Sequence, residues 1–214
     1  MDKKRKLLQT VSATCVLLLM LGTLLSFFFA PRIADAKTRK ELGLPEDAFV
    51  TDTARSPWIC LDENGSATLY GDKMGGRTTL KIPEAVNGIA LKKVLLNHTP
   101  SQNIESVILP STLAAKAPVT YIRDWQQLKT LAFSEGIEDL SGQCLWNLPS
   151  LKEIYLPRSL KSLYNRFASS CDASVTIYYA GTAEEWLALG DAAKNISARH
   201  TVIYETPVPT FEAK

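Results

Sequence analysis

Five short strings in this chain recur at a nearly constant spacing. They are Thr79-Leu80-Lys81-Ile82-Pro83, Ser106-Val107-Ile108-Leu109-Pro110, Thr130-Leu131-Ala132-Phe133-Ser134, Glu153-Ile154-Tyr155-Leu156-Pro157 and Thr176-Ile177-Tyr178-Tyr179-Ala180. Their last residues fall at 83, 110, 134, 157 and 180, at intervals of 27, 24, 23 and 23. Counted from that anchor, the residue three before is Leu80, Val107, Leu131, Ile154 and Ile177, and the residue one before is Ile82, Leu109, Phe133, Leu156 and Tyr179. Three after come Val86, Leu113, Ile137 and Leu160, and six after come Ile89, Lys116, Leu140 and Leu163. Over the first four repeats, fifteen of these sixteen positions are apolar, in a chain that is 46% hydrophobic overall; chance does not supply that. The positions one and four after the anchor hold Glu84, Ser111, Glu135, Arg158, Asn87, Ala114, Glu138 and Lys161, nearly all polar. In a period-2 segment, residues one and three before the anchor share one face, so that face is buried.

A repeat of this length built on a short alternating segment predicts a leucine-rich-repeat solenoid of about five stacked β-strand coils. A single coil has too little apolar surface to offset the entropy of ordering it, whereas stacked coils bury one another's faces. The prolines that end several strings remove a backbone donor and stop the ladder there. Lys116 follows the longest interval and is read as lying in a coil with inserted residues, where Ala115 or Ala117 points inward instead. Both ends need covering. Trp58 to Leu61 and Ala67 to Tyr70, joined through Asp62-Glu63-Asn64-Gly65, read as a hairpin. It forms an N-terminal cap over residues 58–78, ahead of repeats over 79–180. Residues 181–214 read as a C-terminal cap and tail. There Thr182-x-x-Glu185 fits a capping box opening a short helix, Trp186 is placed to cover the last coil, and Thr201 to Glu205 forms a closing strand.

The stretch Leu151-Lys152-Glu153-Ile154-Tyr155-Leu156-Pro157-Arg158-Ser159-Leu160-Lys161-Ser162-Leu163 resembles the bacterial BspA-type leucine-rich repeat. Phe167-Ala168-Ser169-Ser170-Cys171 is similar to that family's "AFxxC" half, and Ile177 to Trp186 is similar to the cap that often closes its arrays. The resemblance covers about residues 66–205; the second and third coils lack a clear "AFxxC" half. It implies a surface-exposed or secreted protein that binds host or matrix proteins or other cells.

Location turns on the N-terminus. Residues 1–6 carry Lys3-Lys4-Arg5-Lys6, and the run from Leu7 to Ala30 has no charge in 24 residues. That is long enough to cross a bilayer core as a helix and longer than the core of an ordinary signal peptide. The tight basic cluster before it stays in the cytoplasm. Ala34-Asp35-Ala36 is also an A-x-A cleavage signal, so two outcomes stand: a single-pass anchor with the repeats outside the cytoplasm, or a protein secreted after cleavage at Ala36. Residues 31–57, with Pro31, Pro45, Pro57 and mixed charges, read as a linker. Net charge is +2. Much of the basic charge lies at Lys3 to Lys6, Arg32, Lys37, Arg39 and Lys40, so the exported part is near neutral or slightly acidic. That argues against nucleic acid as a partner.

Candidates for chemistry are few. Cys171 shares a stack position with Leu148 and Trp125, and Cys144 one with Phe167 and Tyr121. With Cys60 they read as small apolar side chains, although an exported pair could be oxidised. His98 and His200 lie far apart with no acidic residue or cysteine at ligand spacing, so no metal and no cofactor is expected. Gly71-Asp72-Lys73-Met74-Gly75-Gly76-Arg77-Thr78 nearly matches a phosphate-binding loop, but Arg77 stands where Lys belongs and a strand follows where a helix is needed. No nucleophile, acid–base pair or hydrolase motif has recognisable spacing, so no catalysis is expected. The residues two before each anchor, Lys81, Ile108, Ala132, Tyr155 and Tyr178, are expected to line the exposed face of the stacked strands. Tyr155 and Tyr178 are neighbours there, and they read either as a recognition surface for a protein or glycan or as a cross-strand pair that only stabilises the sheet. Two functions follow: an adhesion or ligand-binding module at the cell surface, or a structural partner of other envelope proteins.

Overall fold

The computed structural model describes residues 32–42, 44, 46, 48–51, 59–70, 78–97, 103–113, 122–141, 145–172 and 174–209. Several expectations lie outside these residues: the run from Leu7 to Ala30, Ala115 to Ala117, Tyr121, Cys144, His98, and the glycine-rich loop up to Arg77. Ile33–Lys214 form one compact unit. In chain order its first elements are β1 (Arg32–Ile33), α1 (Ala36–Leu42), β2 (Phe49–Thr51), β3 (Ile59–Leu61), β4 (Ser66–Tyr70), β5 (Thr79–Lys81), β6 (Ala85–Val86), β7 (Ile89–Ala90) and β8 (Lys93–Asn97). There follow β9 (Ser106–Leu109), β10 (Ile122–Arg123), β11 (Thr130–Phe133), β12 (Asp139–Leu140), β13 (Leu145–Trp146), β14 (Glu153–Leu156) and β15 (Ser162–Leu163). The last are β16 (Thr176–Tyr179), α2 (Ala183–Ala188), α3 (Asp191–Ser197) and β17 (Thr201–Ile203).

Together they form a β-solenoid of about five stacked coils, with mostly parallel strands and few helices. Its spine is a six-stranded parallel sheet in the order β17-β16-β14-β11-β9-β5. Register is kept strand to strand: Leu80 pairs with Val107, Val107 with Leu131, Leu131 with Ile154, Ile154 with Ile177 and Ile177 with Val202. Equivalent residues of successive repeats therefore stand in columns. The two apolar columns before the anchor are buried in every coil, from Leu80 and Ile82 to Ile177 and Tyr179. Val86, Leu113, Ile137, Leu160, Leu140 and Leu163 are buried beyond it, while Ile89 is half-buried against the same core. Trp125, Leu148 and Cys171 are also buried, as their shared stack position requires. Two shorter parallel pairs, β10–β13 and β12–β15, run along other sides of the coils.

Polar residues just after the anchor tie one coil to the next. The Glu84 carboxylate accepts from the Ser111 and Thr112 backbone N–H groups at 3.1 and 3.0 Å and from the Ser111 hydroxyl at 3.0 Å. Burial pushes its pKa up, but these donors together hold it below the ordinary glutamate value. Two coils on, Glu135 repeats the arrangement with the Arg158 and Ser159 N–H groups at 2.9 and 3.3 Å. Each carboxylate thus satisfies backbone donors that the turn leaves unpaired.

The N-terminal part departs from expectation in extent. The hairpin β3–β4 is present, pairing Ile59 with Leu69 and Leu61 with Ala67. Its turn is held by Asp62, which accepts from the N–H groups of Asn64 and Ser66, both at 2.9 Å. The hairpin is nevertheless only the middle of a five-stranded sheet, β1-β2-β3-β4-β8, in which β4 and β8 run parallel. Residues 31–57, expected to be a linker, supply β1, α1 and β2, and they bury Ala34, Leu42, Leu44, Ala48 and Val50. Those apolar residues come singly or in short runs between charges and prolines, with no period to reveal them. Asp35 caps α1, accepting from the Thr38 N–H at 2.8 Å.

At the other end Thr182 caps α2 in a reciprocal box with Glu185, the backbone N–H of each donating to the side chain of the other. Trp186 is fully buried, tilted against Tyr179 at 5.3 Å between ring centroids, and its indole N–H donates to Ser197 Oγ at 2.9 Å. The chain then returns as β17, the terminal strand of the spine.

Candidate functional site: the outer face of the parallel sheet

In-register pairing sets two columns side by side on the outer face of the spine. One runs Lys81, Ile108, Ala132, Tyr155, Tyr178 and Ile203. The other runs Thr79, Ser106, Thr130, Glu153, Thr176 and Thr201, hydroxyl side chains with a single carboxylate among them.

The first column is not uniformly exposed. Lys81 is exposed and Tyr155 and Tyr178 are half-buried, but Ile108 and Ala132 are only 4% and 0% exposed, against expectation. Adjacent strands lie about 4.8 Å apart, so an alanine between two larger side chains is shaded by both. Ala132 has Ile108 and Tyr155 in register on either side. The register neighbours of Ile108 do not by themselves account for its burial.

Tyr155 and Tyr178 are brought together as the spacing predicts. Their rings stack at 4.6 Å between centroids with 10° between planes. Beside them Glu153 Oε2 accepts from Thr130 Oγ1 at 3.2 Å and takes a longer contact, 3.5 Å, from the Tyr155 hydroxyl. Burial is the main cause that pushes the Tyr155 phenol up to about 12; the Glu153 charge, Tyr178 and the contact to Glu153 add to it. Tyr155 therefore stays protonated and presents a donor. Ile203, 41% exposed, extends the column beyond Tyr178 on the terminal strand.

Glu153, Thr130 and Ile203 were not singled out by the sequence reasoning, although the signal was present. Glu153 and Thr130 open two of the aligned strings, and Thr201-x-Ile203 continues the same alternation into a sixth strand. The patch combines aromatic faces, hydroxyl donors and one carboxylate on a rigid sheet. Such a surface makes contacts of large area at low entropic cost. No family model, no curated protein and no solved structure matches this chain.

Proposed function

We propose that this chain is a leucine-rich-repeat protein of the BspA type, non-catalytic, that binds a protein or glycan partner at the cell surface through the outer face of its sheet. The observation that carries this reading is the stacked pair Tyr155–Tyr178 beside Glu153. A phenol pushed up to about 12 is a poor nucleophile or base at neutral pH, which suits recognition better than chemistry. In this reading the hairpin β3–β4 and the α2–β17 segment act as the two end caps. On the same reading the chain takes no cofactor, and its partner is not a nucleic acid.

The proposal places the domain outside the cytoplasm, held by the run from Leu7 to Ala30 as a single-pass anchor. Two observations favour the uncleaved form over release at Ala36. Ala34 is buried, and its backbone N–H donates to the Ala48 carbonyl at 2.8 Å. Asp35 caps α1, and its backbone N–H donates to Asn87 Oδ1 at 2.8 Å. A chain beginning at Lys37 lacks both. Sequencing the N-terminus of the mature protein tests this: Lys37 as first residue makes the protein secreted.

The binding reading is tested by comparing the full-length chain in detergent with its Tyr155→Ala/Tyr178→Ala form, folding being checked by circular dichroism. Recovery of a surface partner should fall in the double variant. Equal recovery by both moves the site off this face. A second reading, a structural partner of other envelope proteins, is favoured by the exposed Ile203 on the terminal strand; loss of partner on Ile203→Ser, with full recovery by the double tyrosine variant, selects it.

A further inference from the structure

A cleft of about 500 Å³ opens where the turn Asn165–Ser169 meets the end of α3, away from the residues of the tyrosine patch. Its floor is buried, made by Ala168, Ile196 and His200. Its rim carries the guanidinium groups of Arg166 and Arg199, with no carboxylate among the lining residues. We propose that this cleft binds an oxyanion, a sulfate, phosphate or carboxylate group borne by a ligand.

Arg199 differs from four other cations of the described surface. Lys129, Arg158, Lys161 and Lys194 each pair with a carboxylate, Glu105, Glu185, Glu138 and Asp191, at 2.7, 2.8, 2.7 and 3.2 Å. Arg199 instead donates from Nη2 to the Ser169 carbonyl at 3.0 Å, across the cleft. That bond fixes the guanidinium over the floor and leaves other N–H donors for a ligand, which a planar fork offers to an oxyanion in pairs. Among the acids, Asp191 pairs with Lys194, and Asp172 accepts from the Ser174 N–H at 2.8 Å while its charge also acts on His200. On the rim Asn195 donates to Asn165, joining the two walls.

His200 supplies the second observation. It is 5% exposed, and among the described residues neither ring nitrogen has a hydrogen-bond partner. Burial holds its pKa below the ordinary value, and Arg199 adds to the effect; the Ala168 and Val175 backbones and Asp172 oppose it, without a hydrogen bond of good geometry. An anion in the cleft would favour the protonated ring and add a third cation. Sulfate binding should therefore strengthen as pH falls from 7.5 to 5.5. Sulfate itself does not titrate there, which phosphate does.

The test titrates the full-length chain in detergent with inorganic sulfate, inorganic phosphate and sodium acetate, followed by amide chemical shifts. Saturable shifts should cluster at residues 165–169 and 195–200, and the best of the three anions identifies the ligand group. Arg199→Ala should weaken binding by about tenfold or more, the loss of one charge-assisted contact. Arg158→Ala should leave it unchanged, and His200→Gln should bind with no pH dependence. Absence of saturable shifts with all three anions, or an equal response from wild type and Arg199→Ala, overturns the proposal. The tyrosine patch is untouched by these variants, so the two proposals fail separately.

Discussion

Leu156 and Arg158 are two residues apart on the same coil, and their surroundings differ completely. Leu156 is fully buried in the stack, whereas Arg158 is exposed and meets Glu185 through solvent-screened contacts. Leu156→Asp puts a charge where nothing can pair it, a cost of several kcal/mol against a total stability of about 5 to 15. Unfolding at low denaturant is expected, and Leu160→Asp should behave alike. Arg158→Ala should leave the midpoint nearly unchanged, as exposed ion pairs contribute little. Equal shifts from both kinds of substitution would refute the column assignment. His200 makes a different prediction. Its folded pKa is lowered, so the unfolded chain takes up the proton more readily, and stability falls as pH drops through the unfolded value near 6.5. The carboxylates Glu84 and Asp172, also held low, contribute fully above their ordinary values of 4.5 and 3.8 and lose that contribution only at lower pH. Chemical denaturation between pH 7 and 5 isolates the histidine: a slope that persists in His200→Gln would assign it elsewhere.

The first hairpin shows how one backbone position holds an element. Gly65 has φ +80°, and a Cβ added there would lie 2.1 Å from the Ala90 carbonyl oxygen. Its own carbonyl accepts from the Lys92 and Lys93 N–H groups at 2.8 and 3.2 Å. Gly65→Ala must therefore push the β3–β4 turn off the end of β7 and the residues leading into β8, as well as adopt a disfavoured backbone conformation. A fall in thermal midpoint of several degrees is expected, and an unchanged midpoint would detach this hairpin from the solenoid's stability. That hairpin and the capping box of α2 could be read from the sequence because each is local: a turn with four suitable residues, and Thr182 three before Glu185. The tyrosine pair was readable because a single 23-residue interval, equal to the one before it, places Tyr155 and Tyr178 in register. What escaped was either too short or too dispersed. Asn87-Gly88, with φ of 49° and 79°, turns β6 into β7 inside the longest interval, yet Asn87 reads as one more polar residue of its column. Leu42, Leu44 and Val50 sit among prolines and charges, and only tertiary packing gives them a place. The burial of Ala132 depends on the sizes of residues 24 before and 23 after it, which a face-by-face alternation does not weigh.

Across the molecule, each coil contacts chiefly its two neighbours, so stability is transmitted along the stack and is weakest where a neighbour is missing. The C-terminal end is the place to test this. Trp186 is fully buried, tilted against Tyr179, with its indole N–H on Ser197. Removing it leaves a cavity, and Trp186→Ala should cost about 3 to 5 kcal/mol. The loss should be graded by position. The amides of β16, beside Tyr179, should lose hydrogen-exchange protection first, then those of β14, while β9, three strands from β16, should retain most of theirs. If the domain instead behaves as a single cooperative unit, all three strands will lose protection together and the nearest-neighbour description fails. If β16 keeps its protection while Trp186→Ala leaves the midpoint intact, the indole does not close the stack, and the end of the core must be held by α3 and β17 alone.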